Sequence, residues 1–166
     1  PKDHSRKIPV LDLILEGEHS TLEFKQTLRW DAKNGVSSKD LEKAVIKTIA
    51  AFLNSNGGTL LIGITDGGKI HGIEEDLNSL VRKDRDGLEN HLNQILKHSI
   101  GAEFRQYVEV SFVAFDSKEV VAVEVMPAPK PVYVKLNGGE EFFIRTGNTT
   151  SPLKLSEVGS YIESHW

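Results

Sequence analysis

The sequence predicts an α+β domain, with a mainly antiparallel or mixed sheet of about six strands and about three to four helices packed on it. Apolar residues recur at spacings of three and four before residue 55, which is typical of an amphipathic helix. Short apolar or alternating runs follow, and clusters of Gly, Asn, Asp and Pro separate them. Such turn chemistry favours antiparallel strands.

Length and composition indicate one domain. The chain has 166 residues, of which 39% are hydrophobic, so a single core can form. We expect a polar arm over residues 1–10 and one domain over 11–166; the start at Pro1 fits either a processed product or a domain excised from a longer protein. No apolar run is long enough to span a bilayer, and no signal core follows the first charges. The absence of cysteine excludes disulfides and thiolate sites and predicts a cytoplasmic protein.

The first half is predicted to run from helix to strand to helix. Apolar residues after Val10 suggest one or two helical turns. Residues 21–27 alternate as in a half-buried strand, with Leu22 and Phe24 on one face. A loop over 29–36 leads to a helix over 39–55, for which the preceding serines offer a cap.

A central stretch joins this helix to a buried strand. The helix stops at Asn56-Gly57-Gly58, the apolar run 59–64 follows, and Asp66 lies at its end. Residues 69–73 are predicted to pair with this strand as a hairpin.

The second half is predicted to contain one helix, four strand-like runs and a closing helix. Asp84 or Asp86 can cap the first helix, and Gly101 ends it. The closing helix has Ser156 as its predicted cap. The strand-like runs cover residues 107–115, 120–126, 131–136 and 141–145.

Three carboxylates, Glu18, Glu23 and Asp66, form the strongest chemical hypothesis. Clustered carboxylates repel one another, which raises a pKa or recruits a hard cation such as Mg²⁺ or Mn²⁺. A bound ion would polarise a phosphodiester and activate water, which is nuclease chemistry. Because Glu18 and Glu23 are an odd number apart, the chain must bend between them to bring both to one place. The simpler alternative is three solvated surface carboxylates.

Four motifs in order resemble the Schlafen AlbA-type domain, also catalogued as a divergent AAA or putative DNA-binding domain. They begin at Gly17, Lys47, Leu61 and Phe142, and read GEHSTLEFK, KTIAAFLNSNGG, LIGITDG and FFIRTGN. The resemblance covers about residues 11–161. It implies an RNA-cleaving centre at Glu18, Glu23 and Asp66, with structured RNA as the favoured substrate. Relatives often carry a further acid where this chain has Thr65, and that departure favours binding without cleavage.

Basic side chains supply the predicted contacts with RNA or DNA. The predicted set is Lys25, Arg29, Lys43, Lys47 and Arg145. Alternatives stay open: the lysines can form a solvated helix face, Lys25 can pair with Glu23, and Arg145 can form a structural salt bridge. A net charge of −4 and a pI near 5.9 do not indicate a basic nucleic-acid-binding domain.

Two functions follow from these observations. The first is a nucleic-acid-binding domain with metal-dependent nuclease activity, using Mg²⁺ or Mn²⁺. The second is a non-catalytic regulatory or oligomerisation module joined to flanking domains. Related domains often carry an ATP-binding label, but the Gly-x-x-x-x-Gly-Lys-Ser/Thr phosphate loop is absent from this sequence, so ATPase activity is not predicted.

Overall fold

The computed structural model describes residues 2–166, with side chains from residue 9 onward, and it confirms the α+β class. Among the helices it describes, none is both long and apolar enough to cross a lipid bilayer. The helical elements are α1 (Lys2–Glu16), α2 (Lys39–Leu53), α3 (Glu74–Asn78), α4 (Arg85–Ser99), α5 (Leu155–His165) and a 3-10 segment at Ala102–Tyr107. The strands are β1 (Leu22–Lys25), β2 (Trp30–Asp31), β3 (Val36–Ser37), β4 (Gly58–Ile62), β5 (Val108–Phe115), β6 (Lys118–Val125), β7 (Val134–Leu136), β8 (Gly139–Glu141), β9 (Phe143–Thr146) and β10 (Thr149–Pro152).

The central sheet is mixed and has the order β1-β4-β6-β5. β4 runs parallel to β1 and antiparallel to β6, and β5 is antiparallel to β6. The predicted hairpin between residues 59–65 and 69–73 forms only at its tip, where Ile64 and Ile70 make an antiparallel bridge and backbone hydrogen bonds join residues 63–65 to residues 69–72. The reason is that β4 is a central strand, buried against two other partners, and its apolar run is typical of that position. The remaining strands form the two-stranded ribbons β2–β3, β7–β8 and β9–β10.

Helices cover both faces of this sheet. On one face, α2 and α4 pack with residues such as Phe52, Leu60 and Ile62 into the larger core. On the other, α1 packs over Leu22 and Phe24, as the alternation in β1 predicted. The same alternation turns Glu23 towards α2, and this direction decides what its carboxylate can contact.

The two long inner helices are capped as their sequences predict. The Ser38 side chain accepts a hydrogen bond from the Leu41 N–H at the start of α2. Asp84 accepts one from the Gly87 N–H at the start of α4. α2 ends at Leu53, two residues before the predicted end, because Asn54 serves as its C-cap and leads into the Gly-Gly turn.

The terminal helices differ from expectation. α1 begins at Lys2, so most of the predicted polar arm is helical; Pro1 lies outside the described residues. Lys154, and not Ser156, is the N-cap residue of α5, where the Glu157 carboxylate accepts from the Lys154 N–H. No residue of α5 is fully buried: Val158, Tyr161 and Ile162 are half-buried, and Leu155 is 93% exposed.

Gly57 gives a direct test of the turn after α2. Its φ is +73°, and an added Cβ would lie 2.5 Å from the Val125 carbonyl oxygen. Gly57→Ala is expected to lower the free energy of unfolding by about 2 kcal/mol, from backbone strain and this contact. Gly67→Ala is the control, since its nearest new contact is at 3.9 Å and its φ is ordinary. Equal denaturant midpoints for the two variants would contradict the explanation.

Candidate carboxylate site and basic groove

The chain bends between Glu18 and Glu23, as predicted. His19 and Leu22 exchange backbone hydrogen bonds of 3.0 and 3.2 Å, which close a tight turn before β1. The Glu18 carboxylate then accepts from the Phe24 N–H at 2.9 Å. Carbonyls on either side of Phe24 bond to β4, so this N–H points to the open edge of the sheet. Glu18 therefore covers an edge donor that has no strand beside it.

Glu23 lies buried beneath α2, with its side chain 12% exposed. Its Oε2 accepts from the Thr48 hydroxyl at 2.8 Å and from Arg145 Nη1 at 3.1 Å. Thr48 is one of the α2 residues that face β1, so the cluster is formed between three elements: β1, α2 and β9. Glu23 is thus engaged by the protein's own donors.

Arg145 is fixed in this position by several further contacts. Its guanidinium donates to the carbonyls of His19 and Ser20, at 2.9 and 3.2 Å, and to the Thr150 hydroxyl at 3.1 Å. It also stacks on the Phe52 ring, with 4.9 Å between the guanidinium carbon and the ring centroid. The side chain is only 3% exposed. This contact is the structural salt bridge that the sequence left open as the alternative to a phosphate contact.

Asp66 differs from Glu23 in being exposed to solvent. It lies in the turn after β4, and the Thr65 hydroxyl accepts from the Lys69 N–H in the same turn at 3.0 Å. Among the side chains that the structure describes, from residue 9 onward, no three acidic, histidine or cysteine groups lie so that they could hold a metal ion. Glu18 is engaged with a backbone donor and Glu23 with a guanidinium. The three carboxylates therefore do not fit a shared Mg²⁺ or Mn²⁺ site in this arrangement, and their catalytic role stays a prediction.

The two predicted basic residues of α2, Lys43 and Lys47, lie in one row with Lys39, which was not in the predicted set. Lys39, Lys43 and Lys47 are four positions apart and so share a helix face. Lys43 Nζ donates to the Asn137 amide oxygen at 3.3 Å, and Lys47 Nζ lies 5.5 Å from the centroid of the Phe143 ring. Neither contact neutralises a charge. Lys25 is half-buried on β1, and its ammonium group has no hydrogen bond or ion pair within the described part of the chain.

A groove of about 500 Å³ lies beside this row, between α2, α4 and the β7–β8 turn. Ile46, Ile95 and Leu136 form its apolar floor. Lys39 and Lys43 stand on one side, and Lys135 and His98 on the other. The predicted nucleic-acid contacts did not include Lys135 or His98. These two residues reach the groove through the packing of β7 and α4 against α2.

Arg29 lies in a second polar cluster and not in the row. Its Nη1 donates to the Ser79 carbonyl at 3.3 Å, and its Nε lies 3.8 Å from Oε2 of Glu42. Glu42 is buried and also hydrogen-bonds His91 Nε2. With a side chain only 18% exposed, Arg29 lies between α2 and the segment after α3, and its contact with nucleic acid stays a prediction.

Asp76 in α3 holds the same loop from the other side. It is 1% exposed, and it accepts from the N–H groups of Leu28, Arg29 and Trp30 at 2.7, 2.9 and 2.9 Å. Burial raises the pKa of Asp76 above its usual value, while the three hydrogen bonds oppose the rise. α3 was not predicted, since five residues are too short for a visible periodicity.

Solved structures with this fold support the architecture. The chain superposes on the crystal structure of the DIP2311 protein from Corynebacterium diphtheriae with a TM-score of 0.62 and 18% identity, covering 99% of this chain and 29% of that one. It therefore spans less than a third of that protein's length. The solution structure of the N-terminal domain of a putative ATP-dependent DNA helicase RecG-related protein from Nitrosomonas europaea gives 0.54 and 22%, covering 87% and 93%.

The four sequence motifs lie on neighbouring parts of the fold. The turn 17–22, the α2–Gly-Gly–β4 unit and the β9–β10 ribbon carry the motifs noted above and form one connected site. The family model described as Schlafen, AlbA_2 matches residues 18–154 and so includes all but the first residue of these motifs. This chain belongs to the Schlafen AlbA_2 family.

Proposed function

We propose that this chain is a nucleic-acid-binding domain that holds a phosphate backbone along Lys39, Lys43, Lys47 and the adjoining groove. The observation that carries the proposal is the lysine row itself: three ammonium groups on one helix face, with no carboxylate partner among the described residues. Lys135 adds a fourth charge across the groove. Such a row can neutralise successive phosphates despite a net charge of −4.

Family membership and one structural neighbour support this proposal. The neighbour is described as a RecG-related DNA helicase domain, which is consistent with a nucleic-acid partner, either DNA or RNA. Lysine contacts with phosphates carry no base information, so we expect little sequence preference. The domain would then position nucleic acid for flanking domains or for a second copy of the chain.

Metal-dependent cleavage is a separate and more demanding function. It would need Glu18, Glu23 and Asp66 to act on one ion, whereas Glu23 contacts Arg145 and Glu18 contacts a backbone N–H. These contacts favour binding without cleavage, which agrees with the presence of Thr65 in place of a further acid. Incubating RNA and DNA panels with the protein in Mn²⁺, Mg²⁺ or EDTA tests this point. Metal-dependent cutting that Asp66→Asn abolishes would favour the nuclease function instead.

The lysine row makes a clear prediction for binding. Affinity for RNA or DNA should fall with salt, and the log–log slope should become shallower by roughly one for each phosphate contact that a substitution removes. We expect the double variant Lys43→Glu, Lys47→Glu to weaken binding to all sequences about equally. Fluorescence anisotropy at several salt concentrations measures both effects.

Lys83→Glu is the matched control for this experiment. Lys83 is exposed and precedes α4, so the length of that helix, about 20 Å, separates it from His98 at the groove. Its change of −2 in net charge equals that of the single variant Lys43→Glu, with which it is compared, and it should leave affinity and slope nearly unchanged. A flat salt response of the wild-type protein, or equally weakened binding in the two variants, would contradict the proposal.

A further inference from the structure

We propose that Arg145 is the resident cation of the carboxylate site and occupies the place that a divalent metal would need at Glu23. The inference does not depend on nucleic-acid binding. It concerns the buried junction of β1, α2 and β9, where the family resemblance implies a metal ligand.

Oxygen atoms converge on the Arg145 guanidinium from several parts of the chain. They are Oε2 of Glu23, the carbonyls of His19 and Ser20, and the hydroxyl of Thr150, at 2.9 to 3.2 Å from its nitrogens. A carboxylate, two carbonyls and a hydroxyl are also the oxygen types that a hard cation selects. The set is therefore a cation-binding site that the chain fills with its own side chain.

The fit favours a guanidinium over a metal ion. The planar group donates from three nitrogens to acceptors spread around its edge, while one of its faces lies on the Phe52 ring. An octahedral ion about 2.1 Å from its ligands could not contact the same oxygens at once without pulling them together. The ring would also leave one side of the ion without a ligand.

Burial makes the charge balance strict. The side chains of Glu23 and Arg145 are 12% and 3% exposed, so water hydrates and screens neither charge effectively. A divalent ion added beside Arg145 would place like charges in a poorly hydrated site. If Arg145 is removed, a buried carboxylate loses its counterion, which is strongly destabilising.

Chemical rescue tests whether the vacated site selects a guanidinium. We expect Arg145→Ala to lower the melting temperature by roughly 10 °C. Guanidinium chloride at low millimolar concentration should raise the melting temperature of Arg145→Ala by several degrees and leave the wild type unchanged. Sodium chloride and MgCl₂ at matched ionic strength should not rescue it. Equal rescue by Mg²⁺ would overturn the proposal.

A second comparison applies even if Arg145→Ala does not fold. Arg145→Met keeps most of the side-chain volume but leaves Glu23 unpaired, whereas Glu23→Gln combined with Arg145→Met removes both charges. We expect the double variant to melt at a higher temperature than Arg145→Met. A double variant that melts no higher would show that the pair does not act through its charge.

Direct metal binding gives the third readout. The electron paramagnetic resonance signal of free Mn²⁺ should be depleted equally by wild type and by Glu23→Gln, because Glu23 is already paired. Stoichiometric Mn²⁺ binding by the wild type that disappears in Glu23→Gln but persists in Asp66→Asn would overturn the proposal.

Discussion

Asp76→Ala is expected to reduce the free energy of unfolding by about 3–5 kcal/mol, because three backbone N–H groups lose their common acceptor. Each unsatisfied donor at a buried site costs about 1–3 kcal/mol, and water can satisfy those nearest the surface. The three N–H groups lie on the loop from β1 into β2 and meet at this one carboxylate. Denaturant unfolding followed by circular dichroism measures the change.

Asp76→Asn separates hydrogen bonding from charge. The amide oxygen can still accept from Arg29 and Trp30, but the amide nitrogen would face the Leu28 N–H, which is itself a donor. We expect a smaller decrease in unfolding free energy than for alanine, about 1–3 kcal/mol. Asp66→Ala is the matched control, since Asp66 is exposed, and it should change stability by less than about 0.5 kcal/mol.

The raised pKa of Asp76 also predicts a pH dependence. The pKa of Asp76 is higher in the folded protein than its ordinary value of 3.8, which applies to the unfolded chain. The folded protein therefore keeps this proton to a higher pH than the unfolded chain does. Between the two pKa values the folded state binds more protons, so the contribution of Asp76 to stability falls as the pH rises through that window and is constant above it. The difference in unfolding free energy between wild type and Asp76→Asn should therefore shrink as the pH rises from about 4. A difference that grows over this range would contradict the assignment.

Asn54→Asp is expected to cost about 3 kcal/mol, although the two side chains have nearly the same shape. The Asn54 amide nitrogen donates to the carbonyls of Val132 and Phe143, at 2.9 and 3.0 Å, and its oxygen accepts from the Val132 N–H at 2.8 Å. Asn54 is 0% exposed. An aspartate would place a carboxylate oxygen against two carbonyls, and burial disfavours its charge.

Asn56→Asp is the control for this prediction. Asn56 is two residues away and exposed, so the same substitution should change stability by less than about 0.5 kcal/mol. Because the carboxyl can protonate and then donate one hydrogen bond, the destabilisation by Asn54→Asp should become smaller at low pH. Equal melting curves for the two variants would contradict the role given to Asn54, which joins the end of α2 to the segments around β7 and β9.

Local features of the sequence were sufficient to predict the fold class, the two capped helices and the bend before β1. Ser38 and Asp84 bond to groups three positions ahead, and the turn at His19 closes within three residues. Such contacts depend on short-range geometry, which a residue pattern contains directly. The motif order was also sufficient for the family, whose model matches residues 18–154.

Only the tertiary structure decided which partners these residues have. Glu23 and Arg145 are 122 positions apart in the sequence. Lys135 and Lys43 line the same groove between α2, α4 and the β7–β8 turn. Alternation along β1 predicts that Glu23 and Lys25 share a face, but not that α2 buries one of them against a guanidinium. Burial, charge pairing and the parallel contact between β1 and β4 arise when distant segments pack together. The periodicity of the sequence contains no information about such packing. For this reason the predicted site residues are found in different places: Glu23 and Arg145 form a buried ion pair, Glu18 bonds at the sheet edge, and the lysines of α2 lie in an exposed basic row.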